Sequence, residues 1–170
     1  VMKSEINSYT CFSRLMTKMW PRFPRNDQQQ IFSQLLSDIT QTFDIALWER
    51  LISESDEHLF IFTYRWFLLN FKREFDYHET LLIWELIWAG EKYISPYFAT
   101  IVGYALLTFN RGNIIYHDLS LTDTISLVQG KMMRMTTETR KNRRISLFMT
   151  YIHECTRKIE HQPKNLKHCI

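Results

Sequence analysis

The side chains that could do chemistry in this sequence are scattered along it. His153 stands two residues before Cys155, and His168 immediately before Cys169. Zinc sites need paired His, Cys or acidic ligands at helical or knuckle spacing. Neither pair has it, so both are read as incidental surface residues and no metal is expected. No G-x-S-x-G nucleophile elbow can be written. A phosphate-cradling turn needs glycines that bring backbone N–H groups onto the anion. The only glycines are Gly90, Gly103, Gly112 and Gly130, and Gly130-Lys131 lacks the glycine five positions upstream that a P-loop requires. Glu74, Glu79 and Glu85 are carboxylates in helical surroundings, where caps and ion pairs are the ordinary uses. Arg65 lies within an apolar run. An unpaired charge there is costly, so it is expected in an ion pair or on a backbone carbonyl. Lys72, Arg73 and Glu74 stand at a helix exit, where cations complement the dipole. Trp66, Trp84 and Trp88 are expected as core. By spacing alone, no catalytic, cofactor-binding or metal-binding residue is assigned.

Composition narrows the class further. The chain has 170 residues, 45% hydrophobic and 15% aromatic. That length fits one domain, and the aromatic content argues against disorder. The net charge is +3, too small to demand a polyanionic partner. The charge is unevenly spread: from Lys131 onward there are ten Lys/Arg and three Glu, while residues 1–130 carry a net −4. Arg140-Lys-Asn-Arg-Arg144 is the densest basic run. It suits an anionic membrane surface, where each cation contributes about 1 kcal/mol, but a solvated helix start is the favoured reading. No base-stacking pattern accompanies it, and nucleic acid is not expected. Cys11, Cys155 and Cys169 cannot make a disulfide framework and are read as reduced thiols of a cytoplasmic protein. The most apolar stretch, Leu59 to Phe71, contains Thr63, Arg65 and Asn70. It is too short for a bilayer, which takes about 20 apolar residues. Val1 is not an initiator Met and no signal-peptide pattern follows it, so the chain is read as a soluble piece of a longer protein.

The elements that must position these residues are helices. Ile6, Tyr9, Phe12, Leu15, Met16 and Met19 form one stripe over Ser4–Trp20, and Pro21 and Pro24 end that helix. Asp27 is placed to cap a long second helix with the stripe Ile31, Leu35, Ile39, Phe43, Leu47 and Leu51, before a polar break at Ser53–Glu57. Leu59 to Phe71 is apolar nearly all round, so it must be buried on most sides. Asp76 and Glu79 fit a capping box for a helix that Gly90 would end. Pro96 opens the next, carrying Phe98, Ile101, Val102, Ala105, Leu106 and Phe109, with Gly112 near its end. A shorter helix follows Thr122, and a last one covers about Arg140 to Glu160. Phe60–Tyr64 and Asn113–Tyr116 could be strands, but neither alternates. The expected class is all-α, with about seven helices.

Two segments go beyond helical packing. One is Tyr64-Arg-Trp-Phe-Leu-Leu-Asn-Phe-Lys-Arg-Glu-Phe75, followed nine residues later by Trp84-Glu-Leu-Ile-Trp88. The other is the opening segment with Glu5, Tyr9, Cys11, Phe12 and Met16. In order and spacing the two resemble the C-terminal half of a TBC domain, the module that activates GTP hydrolysis by Rab-type small GTPases, in its Gyp7-like branch. Tyr97-Phe98 and the helix to Phe109 continue the likeness, which spans about residues 1–137. Residues 138–170 are read as a basic C-terminal helix and tail.

The resemblance implies an all-α fold and a Rab-family GTPase as partner. It implies a regulator of a GTPase, itself no enzyme, cytoplasmic and peripheral to endomembranes, acting in vesicle trafficking without a cofactor. Weak membrane contact through the basic tail is a secondary expectation. The family's chemistry resembles the arginine-finger strategy, with an Arg from an I-x-x-D-x-x-R motif and a Gln from a Y-x-Q motif supplied in trans. Here Ile115-Tyr-His-Asp118-Leu-Ser-Leu121 has Leu at the finger position, and none of the eight tyrosines is followed two residues later by Gln. No catalytic residue is therefore carried over, and activation by this chain alone is not expected. The alternative is a catalytically silent TBC-like binding or scaffold module. Either way, contiguous apolar surface is expected to be exposed.

Overall fold

A computed structural model describes residues 4–23, 28–52, 58–116, 123, 126 and 138–161. Eight α-helices and a 3₁₀ turn account for nearly all of these residues, and no strand occurs among them. In chain order they are α1 (Glu5–Met19), the 3₁₀ turn (Trp20–Arg22), α2 (Gln28–Phe43), α3 (Ile45–Ile52) and α4 (His58–Leu68). Then come α5 (Tyr77–Tyr93), α6 (Phe98–Phe109), α7 (Arg111–Tyr116) and α8 (Glu138–Glu160). The all-α expectation holds. Both segments that could have been strands are helical, the first within α4 and the second within α7. Asp27, Ser53–Glu57, Asp118–Leu121, Gly130-Lys131, His168 and Cys169 lie outside the described residues. So does the short helix after Thr122, apart from Asp123 and Ser126, which are helical.

The molecule is organised around α6. Every residue from Phe98 to Thr108 is buried, because α2, α4, α5, α7 and α8 all pack against that helix. An α-helix apolar on every side needs such a central place. α2 contributes Phe32, Leu35, Leu36 and Ile39 to the core. Of the expected stripe Leu35, Ile39, Leu47 and Leu51 are buried, while Ile31 is 41% exposed and Phe32 takes its place in the core. The long second helix is in fact two. Asp44 interrupts it and caps α3, its Oδ1 accepting from the Leu47 N–H at 3.2 Å.

Two glycines play other parts than expected. α5 runs on through Gly90 to Tyr93. A Cβ at Gly90 would lie 2.2 to 2.5 Å from the Phe98 ring, so the glycine lets α6 approach α5 rather than ending the helix. Gly112 falls within α7, since α6 already ends at Asn110. The Asp76 capping box is present in full. Asp76 Oδ1 accepts from the Glu79 N–H at 2.9 Å, and Glu79 Oε2 from the Asp76 N–H at 3.2 Å.

α1 is the outlier. Its only buried residue is Met19. Ile6, Tyr9 and Phe12 are 78%, 72% and 59% exposed, so the N-terminal part of the apolar stripe read from the sequence is uncovered among the described residues. α5 likewise shows Tyr77, Leu81 and Leu82 on its outer face.

Candidate functional site

The block Tyr64–Phe75 forms the end of α4 and the corner that leads to α5. Its helix stops with Asn70 and Phe71 at φ of 47° and 60°. The left-handed region costs a residue with a Cβ about 1–2 kcal/mol, and Asn tolerates it better than Phe. Several hydrogen bonds fix the corner. The Phe71 N–H donates back to the Trp66 carbonyl at 2.8 Å, in the manner of a Schellman helix end. Trp84 Nε1 of α5 donates to the Asn70 carbonyl at 2.9 Å. Phe71 is 1% exposed, and its ring meets those of Trp66 and Phe67. The Trp84–Trp88 pair, with centroids 5.6 Å apart, lies partly buried on α5. Trp66 is core as expected, whereas Trp84 and Trp88 are only partly buried at its edge.

Arg22 closes the corner from the far side. It is 6% exposed, and its guanidinium donates to the Asn70 side-chain oxygen, to the Phe67 carbonyl at 3.4 Å, and to Glu91 on α5. It also lies over the Phe32 ring of α2, 5.3 Å from its centroid. Burial pulls the guanidinium below its ordinary value, and Glu91 opposes that shift. The second Glu91 oxygen takes Lys18 at 3.4 Å, while the Lys18 ammonium sits 5.0 Å over the Trp88 ring. The sequence reading missed this set. Arg22 is 45 to 69 residues from its partners, and nothing in its immediate neighbourhood marks it.

Arg65 was expected in an ion pair and forms one. Its Nε and Nη2 both donate to Glu74 Oε1, at 3.0 and 2.8 Å. The partner stands in the turn after α4, not on a neighbouring helix. Glu74 is fully buried, and desolvation raises its carboxyl above the ordinary value despite Arg65. Lys72 and Arg73 beside it are exposed. Arg111 joins α7 to the α2–α3 junction, donating from Nη2 to Asp44 Oδ1 at 3.2 Å; the bond to Asp44 raises its guanidinium.

The scattered nucleophiles stay scattered. Cys11 is exposed; Cys155 is buried, and desolvation pushes its thiol up to about 11. Tyr104 is likewise raised by burial. His153 points outward from α8 while Cys155 faces the core, so the two share no site. Among the described residues no group of three His, Cys, Asp or Glu could hold a metal ion. The site is thus a tied corner of helices that can shape a surface, and it shows no constellation for bond-breaking chemistry.

Known proteins place this architecture. The Rab-GTPase-TBC domain model matches residues 1–115. Human Small G protein signaling modulator 1 is 32% identical over 125 residues, which cover 74% of this chain and 11% of that protein. The Rab GTPase-activating protein tbc-8 of Caenorhabditis elegans is 34% identical over 125 residues, 72% of this chain and 14% of its own length. The GTPase-activating protein GYP7 of Saccharomyces cerevisiae is 34% identical over 119 residues, 69% and 15%. The chain thus spans about a tenth to a fifth of the length of the curated relatives it matches. No solved structure gives a significant match. Both halves of the Arg65–Trp88 block and the opening helix fall within the matched span, and the chain belongs to the Rab-GTPase-TBC domain family.

Proposed function

We propose that this chain is the C-terminal portion, residues 1–137, of a GTPase-activating domain for Rab-family small GTPases, followed by a basic helix and tail. The observation that carries this reading is the corner itself: the motif residues from Tyr64 to Trp88 fold into one tied unit, with Trp84 and Arg22 converging on Asn70. Two relatives named as GTPase-activating proteins, one of them for Rab, share that stretch. The chain regulates a GTPase and is not itself the hydrolase. No helix among the described residues is long and apolar enough to cross a membrane. By the family resemblance, the protein acts from the cytoplasm at endomembrane surfaces, with the basic tail as a weak contact to anionic lipid.

The sequence carries neither the Arg of an I-x-x-D-x-x-R motif nor the Gln of a Y-x-Q motif. This chain alone therefore supplies shape and not the finger chemistry. That absence also favours a second reading, a silent module that binds a Rab without promoting hydrolysis. Single-turnover GTP hydrolysis by a panel of Rab proteins, with the chain in excess, tests both. A flat response is expected from the chain alone. Grafted behind a segment that supplies both motifs, it should accelerate one Rab by about 10³-fold or more, the scale of an arginine finger. A graft that binds a Rab without acceleration would favour the silent module. Acceleration by the chain alone would overturn the assignment of the chemistry elsewhere.

A further inference from the structure

Among the described residues, burial along α1 is confined to its C-terminal half, where Leu15 and Met16 are partly buried. Its one buried side chain is Met19, in the last turn. Beyond sparse contacts, α1 packs on the 3₁₀ turn Trp20–Arg22 that directly follows it. The last residue of that turn is Arg22, sunk among α2, the end of α4 and α5, and in the last turn of α1 stands Lys18. Both cations converge on one carboxylate: Arg22 on Glu91 Oε1 and Lys18 on Oε2. The two differ in surroundings, with Lys18 46% exposed and Arg22 7% at the side chain. A buried guanidinium depends on its counter-charge far more than an exposed ammonium does.

We propose that α1 is a hinged arm whose pose is set by Glu91, through its simultaneous grip on Arg22 and Lys18. Met19 is the pivot, and the Pro21-containing 3₁₀ turn is the joint. Arg22 passes the pose on to the α4–α5 corner, because the same guanidinium holds Asn70 and the Phe67 carbonyl. The direction of the Ile6–Tyr9–Phe12 stripe is therefore coupled to the corner through Glu91. This inference does not depend on the GTPase assignment.

The test uses the 170-residue chain with Cys169→Ser and a maleimide dye on Cys11, which is exposed while Cys155 is buried. Time-resolved anisotropy separates the dye's local motion from tumbling of the whole body. With Glu91 present, a slow component matching the whole body is expected. Glu91→Gln should abolish that component while the near-ultraviolet circular dichroism of the core stays unchanged. Lys18→Met leaves the buried Arg22–Glu91 pair in place and should weaken the slow component without abolishing it. Should Glu91→Gln unfold the core, Lys18→Met decides alone. An unchanged slow component in either variant with the core intact would overturn the proposal. So would the absence of any slow component in the parent.

Discussion

Glu74 and Arg65 form an ion pair whose two halves stand in different surroundings. The Glu74 side chain is 1% exposed and that of Arg65 29%. Arg65 Nε and Nη2 both go to one carboxylate oxygen, and the other is buried. The geometry of the pair alone would lower the carboxyl pKa. Burial raises it and wins, because Arg65 shares its charge with water while Glu74 cannot. The sign for stability follows. The folded chain binds this proton more tightly than the unfolded chain does, so acidification from neutral pH through the raised pKa adds stability. That gain is complete below the ordinary carboxyl value of 4.5. Against Glu74→Gln, the parent should therefore gain in urea midpoint as pH falls from about 7 toward 4.5. The opposite slope would mean that Arg65 dominates. The same asymmetry ranks the single deletions. Arg65→Met strands a buried carboxylate and should cost about 3 kcal/mol, whereas Glu74→Gln keeps an acceptor for Arg65 and should cost about 1 kcal/mol. Equal losses in urea titrations would contradict this account.

Among the elements, α5 shows most sharply how tertiary contact overrides local preference. Gly→Ala inside a helix ordinarily stabilises by about 1 kcal/mol. At Gly90 the new Cβ would meet the Phe98 ring at 2.2 Å, and Phe98 is 2% exposed with no room to yield. Overpacking of this kind costs about 1–3 kcal/mol. Gly90→Ala should therefore lower the thermal midpoint, and Phe98→Leu in the same chain should recover part of the loss; a stabilised single variant would disprove the close approach. The start of α5 was readable in advance because its cap is local: Asp76 and Glu79 are three residues apart and need no partner. The end of α5 was not, because Gly90 answers to a ring eight residues further on. The α2–α3 break was hidden for a similar reason. Apolar positions run on through Asp44, and only the fold shows that its carboxylate serves both α3 and Arg111. The motif block showed where the important corner lies and that Trp66 is core. Its clamp, Arg22 with Glu91, was invisible because the two residues are 69 positions apart.

For the molecule as a whole, the question is where the folding unit ends. The family match stops at residue 115, yet α8 lies beyond it and packs along the central helix α6. Ile145, Phe148, Ile152, Cys155 and Ile159 are all buried at three- and four-residue steps. Phe148 stands between Phe75 and Phe109, with ring centroids at 5.6 and 5.5 Å. One apolar face thus joins the corner after α4, the end of α6 and the last helix. Burying a large apolar side chain contributes about 1.5–3 kcal/mol, and the three Ile and one Phe of this face rival the about 5–15 kcal/mol net stability of an ordinary domain. The basic run at the start of α8 is therefore carried on a helix that the core requires, whatever those charges meet. A chain ending at Thr137 should lose its sharp thermal transition and its near-ultraviolet circular dichroism. A separate peptide of residues 138–161 should restore both, because it returns the same buried face without the covalent link. A truncated chain that melts as sharply as the parent would make α8 an accessory, and the match boundary at 115 would then mark the fold as well as the family.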